Sequence, residues 1–378
     1  MKDLLYNESR VLREASPVEA GFDAARLARA REVLARAVEN GAFPGAVALV
    51  VRHGRIVLHE AVGKASLRPA TREMTRETIF DLASVTKVVA TLPSVMILLE
   101  RGQLRLDDAV TRFIPEFGQA GKEGVLIRHL LTHTAGLAPF GFLYRCCGTR
   151  EKILARICEY PLGNPVGTVE VYSDLGLIVL GEIVERVSGR PLDQFAQEEI
   201  FTPLGMADTR YRPPVELRGR IAATEDDPWR GRVLVGEVHD ENAYAMGGVS
   251  GHAGLFSTAQ DLAIYAQLFL NGGEYGGRRI LSPVTIRRVT SRQDAAVPVS
   301  TRGLGWQIKD PTFASAGDLL SPEAYGHTGF TGTMIWIDPV LDLFIILLTN
   351  RVHPSRENDA ILRVRPLFCN AVAGAIVE

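Results

Sequence analysis

The spacing of apolar residues changes from a helical period to a strand period early in the chain. Residues 23–40 carry apolar side chains near helical spacing, which predicts an amphipathic helix. Residues 46–52 and 55–62 are rich in valine and flank His53-Gly54, a pattern that predicts a β-hairpin. The chain is therefore expected to begin with a helix that is followed by sheet.

The middle of the chain has a mostly helical pattern with long loops and no internal repeat. A helix is predicted over residues 84–101, and helical segments continue to about Arg292. The other predicted helices of this region are 127–132, 152–159, 175–188, 191–201 and 258–271. This region is expected to form a helical unit of its own.

Strand character returns near the end of the chain, before a closing helix at residues 358–377. The predicted strands are 303–309, 325–331, 333–337 and 342–350. Sheet at both ends with helices between them predicts an α+β fold, in which one antiparallel sheet is flanked by the N- and C-terminal helices and carries a large, mostly helical inserted domain. The expected sheet domain is 1–80 with 295–378, the helical domain is 81–294, and the active site is expected in the cleft between them.

Composition and charge narrow the classes of function. The 378 residues are 46% hydrophobic and 23% charged with a net charge of −2, so no strong field favours nucleic acid or an anionic membrane as a partner. The first residues offer no secretory signal pattern, and no stretch approaches about 18 uncharged apolar residues. The four cysteines, two of them adjacent, lack the spacing of a disulfide framework. We expect a cytoplasmic protein without a cofactor.

Ser84 and Lys87 are the first candidates for chemistry. On the predicted helix they share one face, and the Ser84 amide lies at the positive helix start. A serine hydroxyl is a weak nucleophile until a base takes its proton, and a desolvated lysine could be that base. Lysine is scarce, with six in the chain, so one on an apolar helix stands out. The alternative is a serine N-cap beside an unrelated lysine.

Two further motifs follow along the chain. Tyr172-Ser173-Asp174 precedes a predicted helix, and a tyrosine beside an ammonium can exchange a proton with a reacting oxygen; alternatively Asp174 caps the helix and Tyr172 only packs. His327-Thr328-Gly329 lies on an extended segment, where glycine lets a substrate approach the strand edge. Free amides there could complete an oxyanion hole with the Ser84 amide. The alternative is an ordinary strand that contains a glycine.

A fourth cluster combines His239, Asp240 and Glu241 with His252. Two histidines and two carboxylates could bind a divalent metal, but their spacing fits no closed ligand set. We therefore expect no metal and a structural loop at the cleft, with direct substrate contact by His239, Asp240 or His252 as the alternative.

Taken together and in this order, the motifs S-x-x-K, Y-S-D and H-T-G resemble those of the serine β-lactamases, DD-peptidases and family VIII esterases, and most of all their class C-type branch. Residues 129–137, 254–258 and 303–306 resemble the same branch, and the likeness extends from about Ser16 to Arg351. The resemblance implies a β-lactamase/transpeptidase-like fold.

The resemblance also implies roles for individual residues. Ser84 would be the nucleophile, and Lys87 and Tyr172 would share the general-base and general-acid work. The amides of Ser84 and Phe330 would form the oxyanion hole. The implied substrate-binding residues are Asp174, His327, Thr328 and Gly329.

Two residues depart from the family pattern. Asp174 stands where the family usually has asparagine. A carboxylate near Lys87 would keep the lysine charged and shift the role of general base toward Tyr172. The alternative is that Asp174 faces away from Lys87 as a helix cap. His327 stands where the family usually has lysine, and histidine is mostly neutral at pH 7. A β-lactam carboxylate should then be held less well.

The expected function is that of a serine hydrolase that forms an acyl-enzyme on Ser84 and cleaves small acyl esters. The alternatives are a D-Ala-D-Ala carboxypeptidase or D-stereospecific peptidase or amidase, a weak β-lactamase and an acyltransferase. A non-catalytic ligand-binding or sensor protein on the same fold is the alternative from another class. The expected partner is a small-molecule acyl substrate, and the sequence predicts no oligomeric state.

Overall fold

The protein is described here by a computed structural model that covers residues 10–293, 300–310 and 315–377. Its α-helices are α1 (Ala24–Glu39), α2 (Leu92–Glu100), α3 (Ile127–Leu131), α4 (Arg150–Glu159), α5 (Asp174–Ser188), α6 (Leu192–Ala196), α7 (Thr202–Leu204), α8 (Glu241–Ala245), α9 (Ala259–Leu270), α10 (Pro283–Thr290) and α11 (Ile361–Ala373). Its strands are β1 (Arg13–Glu14), β2 (Gly45–Arg52), β3 (Arg55–Ser66), β4 (Arg72–Glu73), β5 (Phe80–Asp81), β6 (Arg210–Tyr211), β7 (Asp226–Asp227), β8 (Arg232–Val233), β9 (Leu255–Ser257), β10 (Glu274–Tyr275), β11 (Arg278–Arg279), β12 (Gln307–Ile308), β13 (Tyr325–Thr328), β14 (Met334–Asp338) and β15 (Leu343–Thr349).

The main sheet has eight strands and is built from both ends of the chain. Its order is β1-β3-β2-β15-β14-β13-β12, and β4 also pairs with β3. The pairs are antiparallel except that the short edge strand β1 runs parallel to β3. The predicted α+β class with an antiparallel sheet is confirmed. The predicted domain boundaries remain a prediction, and residues 1–9, 294–299, 311–314 and 378 of that division lie outside the described residues.

The sheet is buried on both faces, which explains the valine-rich pattern of its central strands. Along β2, Val47, Leu49 and Val51 face the core shared with the helical region, whereas Ala48 and Val50 face the core beneath the terminal helices α1 and α11. Because successive residues of a strand point to opposite faces, the two cores alternate residue by residue. The predicted hairpin between β2 and β3 is confirmed. Its turn lies at His53 and Gly54, which both have positive φ.

The element that follows β5 is not the continuous α-helix predicted over residues 84–101. It consists of a 3-10 turn (Ala83–Val85), a π-helical turn (Lys87–Thr91) and then α2. Ser84 therefore does not begin an α-helix. The prediction that its amide lies at the positive start of an α-helix is wrong, because a 3-10 turn and a π-helical turn precede α2. Within the described residues, Ala83–Glu100 is the one helix with the length and hydropathy of a membrane span, and 83% of it is buried inside the fold, as in a core helix.

Two short features near the cleft differ from the sequence prediction. Strands β5, β9 and β6 form a separate three-stranded sheet whose two-residue and three-residue strands are too short for a periodic signal. The strand predicted over residues 303–309 is limited to β12. The glycines before it lie in a turn, where a Cβ on Gly303 would come 2.2 Å from the carbonyl oxygen of Val289.

Gly329 joins the main sheet to the segment that leads into Ser84. A Cβ on Gly329 would lie 2.1 Å from Thr333 Oγ1 and 2.4 Å from the carbonyl oxygen of Leu82. In the same turn, Thr331 Oγ1 donates to the Asp81 carbonyl at 2.7 Å and Thr333 Oγ1 donates to the Leu82 carbonyl at 2.9 Å. Glycine is required here because the two backbones are in direct contact.

We expect Gly329→Ala to lower the free energy of unfolding by about 1–3 kcal/mol, because the added methyl overlaps the Leu82 carbonyl and the turn must shift. Urea denaturation monitored by circular dichroism measures the change. Gly124→Ala is the matched control, since nothing lies within 4 Å of a Cβ at Gly124. Equal stability of the two variants would contradict this account.

Candidate active site

Ser84 is presented to the cleft by a strained turn that Asp81 stabilises. Asp81 Oδ1 accepts from the Ala83 amide at 2.8 Å and Oδ2 accepts from the His239 amide at 2.6 Å. Ala83 has a φ of 46°, a left-handed conformation that is costly for a residue with a Cβ. The Asp81 carboxylate therefore helps to hold a backbone conformation that would otherwise relax.

Lys87 is the most enclosed charge of the site, with 1% of its side chain exposed. Its Nζ donates to Ser84 Oγ at 2.7 Å and to the His252 carbonyl at 3.1 Å. Asp174 Oδ1 lies 2.7 Å from the same nitrogen, which is an ion-pair distance although the angles are not those of a hydrogen bond. The structure thus places both Ser84 and Asp174 in direct contact with Lys87.

The surroundings of Lys87 favour its ammonium form. Burial opposes the charge, but the interactions with the Asp174 carboxylate and the Tyr172 oxygen outweigh burial, so the pKa of Lys87 lies above its usual value. Asp174 is free to make this contact because the N-cap of α5 is Ser173, whose Oγ accepts from the Gly176 amide. The alternative in which Asp174 is the helix cap is therefore wrong.

Tyr172 is held in the site by His133, which the sequence offered only as part of a resembling stretch. The Val171 amide donates to the His133 carbonyl at 2.8 Å, and the Ser173 amide donates to His133 Nδ1 at 3.0 Å. Burial and the cations Arg302 and Lys87 hold the pKa of His133 well below its usual value, as suits a ring nitrogen that accepts. The ring of Tyr172 lies 4.6 Å from that of His133, between centroids.

His327 and Thr328 occupy a free strand edge that faces the cleft, because β12 pairs only with Tyr325 and Gly326. His327 Nδ1 lies 2.8 Å from the Thr328 carbonyl, so Nδ1 carries the proton and Nε2 is an acceptor. Nε2 is buried and has no partner within the described residues. Burial and the cations Lys87 and Arg302 hold the pKa of His327 well below its usual value, so the strand presents a neutral imidazole.

The amides of Ser84 and Phe330 belong to segments that are hydrogen-bonded to each other through the Gly329–Thr333 turn. Both residues line the cleft. Neither backbone N–H donates a hydrogen bond within the parts of the chain that the structure describes. Two unsatisfied amides at the edge of one cavity are what an oxyanion hole requires.

The loop cluster around residue 240 lines the same cleft, as expected from the sequence. His252 Nε2 contacts Asp240 Oδ1 at 2.8 Å, whereas His239 Nε2 contacts Glu225 Oε2 at 2.9 Å. Burial alone would raise the pKa of Asp240, but His252 and Lys87 outweigh it and hold that pKa below its usual value. This loop supports Lys87 through the His252 carbonyl.

One group of three side chains could offer ligand atoms to a metal ion. Asp174, Asp240 and His252 have donor atoms within 4.8 Å of one another. His239 and Glu241 do not join them, because they contact Glu225 and Arg356. The ammonium of Lys87 already contacts Asp174 and the His252 carbonyl. The negative charge of Asp174 is therefore compensated by a side chain of the protein itself.

Arg302 is a residue of the cleft that sequence reasoning missed. Its Nε donates to Glu170 at 2.9 Å, and its guanidinium carbon lies 5.3 Å from the centroid of the Tyr172 ring. Nη1 is buried and has no partner within the described residues. The chain is rich in arginine, so no local signal distinguished this one. The cavity has a volume of about 740 Å³, and its walls include Phe140, Ile361 and Leu362.

Known proteins of one family resemble the chain in sequence. A model of the Beta-lactamase family matches residues 30–367. An Escherichia coli K12 protein, named as a candidate D-alanyl-D-alanine carboxypeptidase, is 37% identical, over 91% of this chain and 86% of its own. A Salmonella agona protein of the same name is 35% identical, over 98% of this chain and 94% of its own.

Solved structures share the fold. EstCE1, a hydrolase with promiscuous acyltransferase activity, is 28% identical with a TM-score of 0.72, covering 93% of this chain and 99% of its own. A penicillin-binding protein homologue from Caulobacter crescentus is 25% identical with a TM-score of 0.73, covering 93% and 97%. The chain therefore belongs to the β-lactamase family. It is a serine hydrolase of that family.

We expect Asp174→Asn to move the alkaline limb of the kcat/KM profile to lower pH. The amide keeps the shape but removes the charge that helps to keep Lys87 protonated, and burial then lowers the lysine pKa. The ammonium, and the activity that depends on it, are consequently lost at a lower pH. Ester hydrolysis measured across about pH 5–11 gives both limbs.

Glu60→Gln is the matched control for this prediction, because it removes a carboxylate paired with Arg31 outside the cleft. Its profile should coincide with that of the unchanged protein. If the acidic limb moves to lower pH in Asp174→Asn, neutral Lys87 is the base and this account of the ammonium is wrong.

Proposed function

We propose that the protein hydrolyses small carboxylic esters through an acyl-enzyme on Ser84. The observation that carries the proposal is the 2.7 Å contact between Lys87 Nζ and Ser84 Oγ at the wall of the cleft. A buried ammonium that donates to a serine oxygen stabilises negative charge as that oxygen loses its proton. Membership of a serine hydrolase family supports the same reading.

In the proposed mechanism Tyr172 is the base, because Lys87 is kept as an ammonium. The Tyr172 phenolate takes the proton of Ser84 and becomes a neutral phenol, while Ser84 Oγ bonds to the acyl carbon. The amides of Ser84 and Phe330 stabilise the oxyanion of the tetrahedral intermediate. As the bond to the leaving alcohol breaks, Tyr172 returns its proton to that alcohol.

The second half repeats these steps with water. The Tyr172 phenolate takes a proton from water as the water oxygen bonds to the acyl carbon. The acyl–Ser84 bond then breaks, the carboxylic acid leaves, and Tyr172 returns the proton to Ser84 Oγ. An alcohol in place of water would give acyl transfer by the same route. Lys87 stays charged throughout and stabilises the Tyr172 phenolate before each proton transfer to Tyr172 and after each proton transfer from it.

Small esters suit the cleft because its strand edge carries no fixed charge. His327 is neutral, and the cavity walls include the apolar side chains of Phe140, Phe330, Ile361 and Leu362. A neutral acyl group can be buried there without leaving a charge unpaired. A β-lactam carboxylate, in contrast, finds no lysine on this strand.

Arg302 favours a second candidate, a carboxypeptidase acting on peptides that end in D-alanyl-D-alanine. Arg302 lines the cleft with its guanidinium beside the Tyr172 ring, and its Nη1 has no partner within the described residues, so it could bind a terminal carboxylate. The names of the Escherichia coli and Salmonella relatives point the same way. The two candidates share the acyl-enzyme and differ in what the leaving group offers to Arg302.

Ser84→Ala should abolish labelling by a fluorophosphonate and lower p-nitrophenyl acetate hydrolysis by about 1,000-fold or more, because no acyl-enzyme can form. Mass spectrometry after labelling should find one modified residue. Ser94→Ala is the matched control, since Ser94 lies in the same helical segment and donates to the Ala90 carbonyl. Retained hydrolysis in Ser84→Ala would refute the proposed mechanism.

Arg302→Gln should separate the two substrate classes. We expect kcat/KM for a neutral ester to change by less than about threefold. For a D-alanyl-D-alanine peptide, kcat/KM should fall by about tenfold or more because KM rises when a charge-assisted hydrogen bond is lost. Arg150→Gln, which loses ion pairs with Glu182 and Glu185, is the control. If the unchanged protein does not cleave the peptide, the second candidate is eliminated.

A further inference from the structure

Arg365 is a buried cation for which the proposed reaction has given no role. It lies on α11, is 5% exposed and lines the cleft. It makes no ion pair with a carboxylate of the described residues, and its Nε has no partner among them. Burial and the neighbouring Arg351 lower the pKa of Arg365 to about 10. A buried charge without a counterion is destabilising, so its contacts need an explanation.

The hydrogen bonds of Arg365 are directed at two carbonyls of the Gly329–Thr333 turn. Its Nη2 donates to the Gly329 carbonyl at 2.9 Å and to the Thr333 carbonyl at 2.9 Å. The Gly329 carbonyl belongs to the same peptide unit as the Phe330 N–H. The cis peptides of the described residues lie elsewhere, so this unit is trans and its two polar groups point in opposite directions. With the carbonyl turned toward Arg365, the N–H faces away from the guanidinium.

Arg351 fixes the other side of Phe330. Its Nε donates to the Phe330 carbonyl at 2.8 Å, and its guanidinium carbon lies 4.4 Å from the centroid of the Phe330 ring. The Gly329 carbonyl also accepts from the Gly332 amide at 3.0 Å. The rotation of the Gly329–Phe330 peptide is therefore restrained from both of its ends.

We propose that Arg365 is a positioning residue that orients and polarises the Gly329–Phe330 peptide as an oxyanion donor. A positive charge at the carbonyl end of a peptide draws electron density from the N–H and makes it a stronger donor. The inference rests on the proposed acyl-enzyme reaction, which uses the Phe330 amide. Arg365 itself touches the peptide and acts on the oxyanion only through it.

Arg365→Met removes the charge and keeps much of the length, and Arg365→Lys keeps the charge without the guanidinium fork. We expect kcat for p-nitrophenyl acetate to fall by about tenfold to 100-fold in Arg365→Met, less than the full loss of an oxyanion donor, with KM changed by less than about threefold. Arg365→Lys should recover part of kcat.

The affinity for a phenylboronic acid, which forms a tetrahedral adduct on Ser84, distinguishes a positioning role of Arg365 from a role in stability alone. Its inhibition constant should rise in proportion to the loss of kcat/KM, because both report on the oxyanion. Arg52→Met is the matched control. Arg52 is also buried and donates to the carbonyls of Ala20 and Leu341, so its loss should lower the melting temperature and leave kcat within about twofold.

The proposal is overturned if Arg365→Met, measured while folded, loses no more kcat and boronate affinity than Arg52→Met. If Arg365→Met does not fold, Arg365→Lys decides: a loss of kcat matched by a loss of boronate affinity supports the proposal, and unchanged values overturn it. The proposed reaction is tested separately by Ser84→Ala. Abolished hydrolysis in Ser84→Ala with no effect at Arg365 would remove the inference and leave the reaction intact.

Discussion

The site depends on a buried ammonium. Lys87 Nζ contacts Ser84 Oγ, the Asp174 carboxylate and the His252 carbonyl, which belong to three segments far apart in the chain. A lysine so enclosed would lose its proton unless negative and polar groups compensated for the lost water. Asp174 supplies that compensation. The ammonium in turn brings the three segments together at the serine.

The main sheet reaches this ammonium through backbone contacts rather than through charge. The turn after β13 is fastened to the carbonyls of Asp81 and Leu82, which lie just before the nucleophile. Glycine at position 329 allows this close approach, and Arg365 on α11 donates a hydrogen bond to the Gly329 carbonyl of the same turn. The main sheet, the segment before the nucleophile and the closing helix therefore meet at the Gly329–Thr333 turn, so a shift in any of them should change the position of Ser84 Oγ.

Electrostatics divides the cleft into a charged and a neutral wall. Lys87, Asp174 and Asp240 surround the serine on the helical side, whereas His327 on the strand is neutral because burial and two cations oppose its protonation. Specificity should follow from this division. A neutral acyl group can rest against the strand, and Arg302 is one cation of the cleft that could pair with a carboxylate.

The sequence by itself determined the fold class and predicted Ser84, Lys87 and Tyr172 as the reacting groups. Periodicity placed the hairpin, the terminal helices and the helical region, and the spacing of Ser84 and Lys87 put them in contact. Tertiary structure decided what those groups can do: that Asp174 faces Lys87 while Ser173 caps α5, and that Arg365 bonds the Gly329 carbonyl. Local patterns encode neighbours within a few residues. The charge state of a buried group depends on contacts between residues far apart in the chain, which exist only once the segments pack.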